Sequence, residues 1–579
     1  MQNGSAEKSE KRIKVVEINH PLFLANFLYD LLDIDPKMST DEDGEADEVD
    51  YPDETHILAD DDMKKVEEDI ERTPGLSDNV SFSTLWRLLK GFGELTLVVE
   101  PYYVDRSYRD IYYTYYAAKH FSYDRYCKRL FIFKGLLTSA NGCYFPDISV
   151  DTLRECCMGC IVIRPLKDGK IGRTLLNPKY FCGNGTSGKA YIRYAEYDAT
   201  VAGKRFSLKA FPYSMQDGEM TSCAETTISN LLEYFSKRYV EYHCLLPSEI
   251  NRIAENYGYD RKLPTKGLDY RTMSKILMKA GLKPQLYKAD LIMKSDPGKL
   301  RRLFHYYIES GIPVAAGVQV NRMAVRHSII GIGHGKIDIS RMKKKEYSVS
   351  GSADDEIWFY DSANAVSDYI VMDDNKLPYS NYVWEPDKTD ILGEYKVEYL
   401  LVPLNRRMLL EATDAYDICT SIFADAQFGV KRYINGLGTK DNLFVLRLFL
   451  ASARGLKRFR IEHFGQDNEE ARELYINTPF PRFIWVGEIY DPDKYPDMCC
   501  GEIIIDATSS ANAYSSAVII LHYPNNIFRR MPEETRGLHE IGLHKLERWG
   551  CFEGYRGNLH DSQEQDSRKL QRTAHADGI

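Results

Sequence analysis

Apolar residues return at Ile228, Leu231, Leu232 and Phe235, the rhythm of one helix face, and predict a helix from Ser222 to about Tyr239. Further helices are predicted over LPSEINRIAENYG, with Ser248 as its cap, and over YRTMSKILMKAG and DPGKLRRLFHYYIESG, which both run into a glycine, a common helix stop. The pattern then changes. IPVAAGVQV, HSIIGIGHG and EIWFYDSAN are short apolar runs with polar connections, and they predict three strands. Helices followed by consecutive strands predict an α+β layout for this block.

Upstream, LTLVVEPYYV, CKRLFIFKG and GCIVIRPL predict strands, and YIRYAEYDATVAGKRFSLKAFPY predicts two strands around a glycine turn. The tyrosine-rich stretch from Tyr102 to Tyr116 predicts an amphipathic core helix rather than a surface for stacking bases, because it carries Asp105 and Asp110 and few basic neighbours. Downstream, FPRFIWVGEIYDPD and GEIIIDATSSANAYSSAVIILHYP are strand-like, with a helix around EEARELYIN. Asp41 to Glu54 is nearly all acidic or small, and its self-repulsion predicts a solvated linker or insertion over 38–75. The predicted organisation is an N-terminal segment 1–79, a mixed α/β domain 80–204, the α+β block 205–403, a C-terminal α/β domain 404–560 and a disordered tail 561–579.

Composition narrows the function classes. A chain of 579 residues exceeds a single core. Its net charge of -10 argues against a nucleic-acid partner, which calls for a basic surface. No apolar run is long enough for a membrane span, and no apolar segment follows the charged start as in a secretory signal. The twelve cysteines are scattered, apart from Cys156, Cys157, Cys160 and the pair Cys499–Cys500, and read as reduced thiols of a cytoplasmic protein.

The candidate chemistry starts at Cys223. Ser222 and Glu225 have capping-box spacing, which puts Cys223 at the first helical position. There, unpaired backbone N–H groups and the positive end of the helix dipole favour an anionic sulfur, the form a nucleophile needs. His327 opens one predicted strand and Asp361 closes another. If those two strands pair, His327 could take the thiol proton while Asp361 fixes its orientation. Gln216, seven positions before the cysteine, could donate its amide to a developing oxyanion, beside the Cys223 N–H. A buried structural cysteine is the plain alternative.

These residues resemble a papain-fold cysteine peptidase, and their compact spacing is most similar to the C39-like branch. The family's Gln…Ser-Cys pattern is met by Gln216, Ser222 and Cys223. Its histidine strand is met by His327-Ser-Ile-Ile-Gly-Ile-Gly-His-Gly335, and its next strand by Trp358-Phe-Tyr-Asp361-Ser-Ala-Asn364. Ala224 stands where the family has Trp or Gly, and Gln216 lies one residue farther from the cysteine. The match covers 205–400. It implies a papain-like core and a thiol hydrolase acting on a protein or peptide through an acyl-enzyme. Cys223 would be nucleophile, His327 base, Asp361 orienter and Gln216 oxyanion donor, with no cofactor and no metal. The same residues would serve acyl transfer or glutamine deamidation, and a binding protein could keep the fold without turnover.

Other signals carry less. His334, seven residues after His327, should lie about 20 Å from it on the opposite face of the strand, and Asn364 lacks the charge Asp361 would bring. Cys244 beside His243 reads as core or loop. Cys157 and Cys160 have C-x-x-C spacing, but the run after them reads as a strand, and a zinc site would need a second ligand pair. Gly183 to Ala190 is a glycine turn, lacking the hydroxyl that would ligate magnesium in a phosphate-binding loop. His539, Glu540 and His544 are spaced one residue too long for a zinc-protease helix.

Overall fold

The computed structural model describes residues 13–34, 79–167, 169–182, 189–258, 263–320, 325–342, 347–349, 357–385, 390–423, 425, 427–434, 443–464, 468–510, 514–531, 542–546 and 550–563. The expected linker over 38–75, the glycine stretch 183–188, His539 with Glu540, and the tail from 564 lie outside the described residues. The fold is mixed α+β, built on antiparallel sheets. Its contacts divide the chain into two interleaved units. One comprises 1–181, 194–276 and 372–379, and the other 182–193, 277–371 and 380–579. The boundary expected at 204/205 falls between the first two residues of a hairpin strand of the first unit.

The first unit is a seven-stranded antiparallel sheet. Its strands are β1 (Lys14–Ile18), β2 (Leu95–Tyr103), β3 (Cys127–Lys134), β4 (Cys157–Arg164), β5 (Lys170–Leu176), β6 (Ala195–Val201) and β7 (Lys204–Tyr213), in the order β1-β2-β3-β4-β5-β7-β6. Central β4 is buried throughout, whereas edge strand β6 alternates buried and exposed residues, as a strand with one wet face must. The β6–β7 turn is Ala202-Gly203, both at positive φ (48° and 78°), a two-residue loop that follows the strand twist. Cys157 and Cys160 lie on β4, both buried, and a bulge between them sets them opposite Phe133 and Phe131 of β3.

Helices α1 (Pro21–Leu32), α2 (Val80–Leu89), α3 (Arg106–Thr114), α4 (Cys223–Arg238) and α5 (Pro247–Asn256) belong to this unit. In α3, Asp105 caps the start by accepting from the Tyr108 N–H at 2.8 Å, and Tyr108 and Ile111 are the buried residues. Ser248 does not cap α5. Leu246 holds the cap position, its N–H bonded to the Glu249 carboxylate at 2.8 Å, and Pro247 opens the helix. Ser248 instead donates from its N–H (2.8 Å) and its hydroxyl (2.7 Å) to Asp110 on α3.

The second unit holds two sheets. The first contains β8 (Lys283–Lys288), β9 (Val314–Val320), β10 (Arg326–His334), β12 (Asp368–Met372), β13 (Ser380–Val383) and β14 (Tyr395–Leu404), ordered β13-β12-β10-β9-β14, with β8 also on β14. The second contains β11 (Ile357–Asp361), β15 (Leu443–Ser452), β16 (Phe483–Tyr490), β17 (Met498–Asp506), β18 (Val518–Tyr523), β19 (Asn526–Arg529) and β20 (Gly542–Lys545), paired in that order, with β21 (Phe552–Glu553) on β17. Strands β11 and β15 pair in parallel.

Helix α6 (Lys299–Glu309) is buried on every face, which explains why its sequence mixes apolar residues with Arg301, Arg302, His305 and Glu309. Those charges find partners. Glu309 lies 2.8 Å from Arg447, Arg447 2.8 Å from Glu488, Glu488 2.6 Å from Arg460, and Arg460 2.7 Å from Glu502. Such a chain removes the large cost of an isolated charge in an apolar interior. Helices α7 (Ala412–Phe423), α8 (Ala453–His463) and α9 (Glu469–Asn477) cover the second sheet. Among the described residues no helix is long and apolar enough to cross a membrane.

Candidate functional site

Cys223 is the first residue of α4, half-buried. The helix forms there for the reasons the sequence gives. Ile228, Leu231, Leu232 and Phe235 are buried, and Tyr234 stacks on Phe211 of β7 with ring centroids 5.0 Å apart. Ser222 is the extended cap residue, and its N–H donates to Glu225 Oε2 at 3.1 Å. The other oxygen of Glu225 accepts from the Thr265 hydroxyl at 2.8 Å, so the carboxylate fixes the helix start and a neighbouring loop together.

The turn before the cysteine is organised by Asp217, which the sequence reading did not single out. Its Oδ1 accepts from the N–H groups of Glu219 (2.9 Å), Met220 (2.8 Å) and Thr221 (2.8 Å). Gly218 takes φ +79°, a conformation that favours glycine. The signal was the Asp-Gly pair, a turn former whose carboxylate reaches forward to the following amides. The turn is then pinned from outside. Glu219 accepts from Tyr115 and Lys119, each at 2.8 Å, and the Lys119 bond first and the Tyr115 bond second hold its carboxyl below the usual range. Met220 is buried among Tyr108, Ile111, Tyr116, Cys127 and Val162.

Gln216 sits at the head of this turn, with its Nε2 3.4 Å from Asn375 Oδ1. Asn375 belongs to the segment 372–379, which the first unit holds tightly. Tyr213 donates to the Lys376 carbonyl at 2.8 Å, and Tyr379 donates to the Leu176 carbonyl at 2.7 Å while accepting from the Phe211 N–H at 3.0 Å. Gln216, Cys223 and the turn that begins at Asp373 are therefore parts of one unit.

His327 and Asp361 belong to the second unit. His327 is the second residue of β10, opposite Val318 of β9, and is buried, its ring 5.9 Å from that of Tyr395. His334 ends the same strand. Its Nδ1 faces the Gly335 carbonyl at 2.7 Å and its Nε2 faces Glu309 Oε1 at 3.0 Å, so both nitrogens are committed to structural acceptors. These contacts set His334 aside as the base.

Asp361 is placed differently from expectation. The run ending in Asp361 does not pair with β10; it forms β11 in the other sheet, parallel to β15 with Asp361 opposite Leu446. Its carboxylate accepts from the Tyr306 hydroxyl and, at 2.9 Å, from the Ala363 N–H, and lies 3.6 Å from Arg302 Nε. Burial raises its pKa and the Arg302 charge opposes that rise. The expected pairing is thus corrected: IWFYD was drawn into the long second sheet, where β15 covers its edge. The neighbour of β10 is β12, whose apolar run DYIVM continues directly into Asp373 and Asp374, both buried. The signal, an apolar run closed by acid residues, is the same one that EIWFYD carries, and only pairing separates them. Asn364 is engaged by Arg301 of α6.

No protein-family model matches the chain, and no curated protein matches it in sequence.

Proposed function

We propose that the chain is a thiol hydrolase of papain-like type, cleaving a peptide or isopeptide bond through a thioester acyl-enzyme. The observation that carries this reading is the seating of Cys223. A half-buried sulfur stands at the first turn of a sixteen-residue helix, behind a turn locked by one carboxylate and three amides, with a glutamine amide on that same turn. A merely structural cysteine has no need of such a mount.

In this reading Cys223 attacks the carbonyl, His327 takes its proton and later returns it to the leaving amine, and the Cys223 N–H and the Gln216 amide receive the oxyanion. The orienting carboxylate passes from Asp361 to Asp373, the residue that follows the strand beside the histidine strand. Water then releases the acyl group. An amine in its place would give transfer, and a glutamine side chain as substrate would give deamidation.

The test is covalent labelling of the full chain with an electrophilic peptide amide, read by intact mass and peptide mapping. Label on Cys223, lost in Cys223→Ala and slowed at least tenfold in His327→Ala, supports the reading. Label that persists in Cys223→Ala sinks it, as does a His327→Ala chain that labels at the wild-type rate. Product masses from a glutamine-containing peptide separate scission from deamidation.

A further inference from the structure

The cysteine pair Cys499–Cys500 divides on the strand. Cys499 faces inward, its Sγ 2.8 Å from the Gly501 carbonyl. Cys500 is the extra residue of a bulge in β17, since β16 pairs Ile489 with Gly501 and Tyr490 with Cys499 and leaves Cys500 without an opposite number. Bulges redirect side chains. This one turns Cys500 towards the segment that pairs on the other edge, where Cys499 lies opposite Phe552 and Met498 opposite Glu553. One step further along that antiparallel register, Cys551 comes opposite Cys500.

The two sulfurs are 4.0 Å apart and not bonded. Lys494, from the single turn Pro492–Lys494 that links β16 to β17, brings its Nζ to 3.6 Å from Cys551 Sγ. The Asp491 N–H donates to Cys500 Sγ at 3.3 Å. Cys500 is buried, whereas Cys551 is partly open to solvent. An accessible sulfur beside an ammonium, with a second sulfur behind it in van der Waals contact, is the layout of an attacking thiol and its resolving partner.

We propose that Cys551 and Cys500 form a redox-active dithiol that a hydroperoxide closes to a disulfide. The Cys551 thiolate attacks the terminal peroxide oxygen, the O–O bond breaks, Cys551 becomes a sulfenic acid, and the departing alkoxide or hydroxide takes up a proton. The Cys500 thiol then attacks the sulfenic sulfur, the S–O bond breaks, and the hydroxyl leaves as water with the thiol proton. Two sulfurs lose one electron each, and the peroxide gains both. The resulting bond ties β21 to β17. The acid–base setting agrees with this division of roles. The hydrogen bond from Cys500, and then the Lys494 charge working against burial, bring the Cys551 thiol down to about 6, while Cys500 is pushed up. Burial alone raises the thiols of Cys182 and Cys419.

The experiment treats the reduced full-length chain with substoichiometric hydrogen peroxide, alkylates the remaining thiols and maps them by mass spectrometry. The expected product is a Cys500–Cys551 linked peptide that disappears on reduction and forms before the half-buried Cys143 and Cys156 are modified. In Cys500→Ser, Cys551 should accumulate as a sulfenic acid trapped by a cyclic dione. In Lys494→Met the link should form several-fold more slowly. Cys223→Ala should not alter the link, which keeps this outcome separate from the hydrolase reading. Absence of the linked peptide from the wild-type chain overturns the proposal, as does oxidation of Cys551 no faster than that of Cys143.

Discussion

His334 Nε2 lies 3.0 Å from Glu309 Oε1, and the second oxygen of the same carboxylate lies 2.8 Å from Arg447. One acid thus joins the end of β10 to the strand β15 of the other sheet of its unit. Burial acts to raise the Glu309 pKa, but Arg447 and His334 outweigh it and hold the carboxyl well below its ordinary range. Replacing Glu309 by Ala would leave Arg447 buried with half its pairing, and the loss of one member of a buried pair costs about 3–5 kcal/mol. Urea unfolding at neutral pH should register it in the midpoint. A change below about 1 kcal/mol would show that solvent reaches the network.

Two buried histidines give a pH signature of their own. Burial lowers His305 and His522 to about 3, with the neighbouring cations Arg301, Arg447 and Arg460 adding to the effect. The unfolded chain binds a proton at each near pH 6.5, and the folded chain does not. Their stabilisation is therefore complete above that pH and declines as pH falls from about 6.5 towards the folded value of about 3. His522→Asn should flatten the pH dependence of the unfolding free energy across this range. An unchanged slope would mean that His522 titrates normally in the folded chain.

The strands and helices were legible wherever one period dominated. The face Ile228–Leu231–Leu232–Phe235, the glycine-ended helix before Ser310 and the three apolar runs all form where their patterns place them, because burial of one face decides those elements locally. Pairing was not legible. HSIIGIGH, IWFYD and DYIVM are similar apolar runs, and which of them lie side by side depends on segments far along the chain, such as β15, which takes the edge of β11. Nor could spacing reveal that Asp361 answers Tyr306 and Arg302 rather than a histidine, since those partners sit on a helix more than fifty residues upstream. The cap at Ser248 failed for a local reason: Pro247 opens the helix and Glu249 accepts from the Leu246 N–H, so the cap falls two residues earlier.

Glycines in β10 mark close approach rather than flexibility. A methyl group at Gly331 would run into the Phe304 ring of α6, and one at Gly333 into the backbone of Tyr191 and Ile192. Gly331→Ala should therefore destabilise by about 1–3 kcal/mol, the usual cost of overpacking a filled core. Thermal unfolding would report it. Gly93→Ala is the control, since nothing stands within 4 Å of the added group there.

The turn at Asp217 ties stability to the reactivity of Cys223. Asp217→Ala removes the acceptor of three amides at once, and each buried donor left without a partner costs about 1–3 kcal/mol unless water replaces it. Because the turn hands the chain directly to Ser222 and Cys223, labelling of Cys223 by the electrophilic amide should slow by at least tenfold, even where circular dichroism shows the chain folded. Asp217→Asn, which retains one acceptor oxygen, should recover most of the rate. Equal rates in all three chains would show that the turn does not position the sulfur.

The two aspartates should part in a paired comparison. Asp361→Asn weakens a buried carboxylate held by Tyr306, Arg302 and the Ala363 N–H, so its effect should fall on stability. The sign follows from its pKa. Burial raises that carboxyl in spite of Arg302, so the neutral asparagine is tolerated better than at a site where charge is favoured, and the loss should stay within about 3 kcal/mol. The labelling rate of Cys223 should not change. Asp373→Asn should do the opposite. The turn bond from the Asn375 N–H, at 2.9 Å, goes to a carboxylate oxygen that asparagine can supply, so the fold should hold. Labelling should nevertheless fall by one to two orders of magnitude, because an amide cannot balance the charge on an imidazolium as a carboxylate does. Measured side by side by melting temperature and labelling rate, the variants should exchange rank between the two assays. The same order in both would return the orienting role to Asp361, or remove it from both.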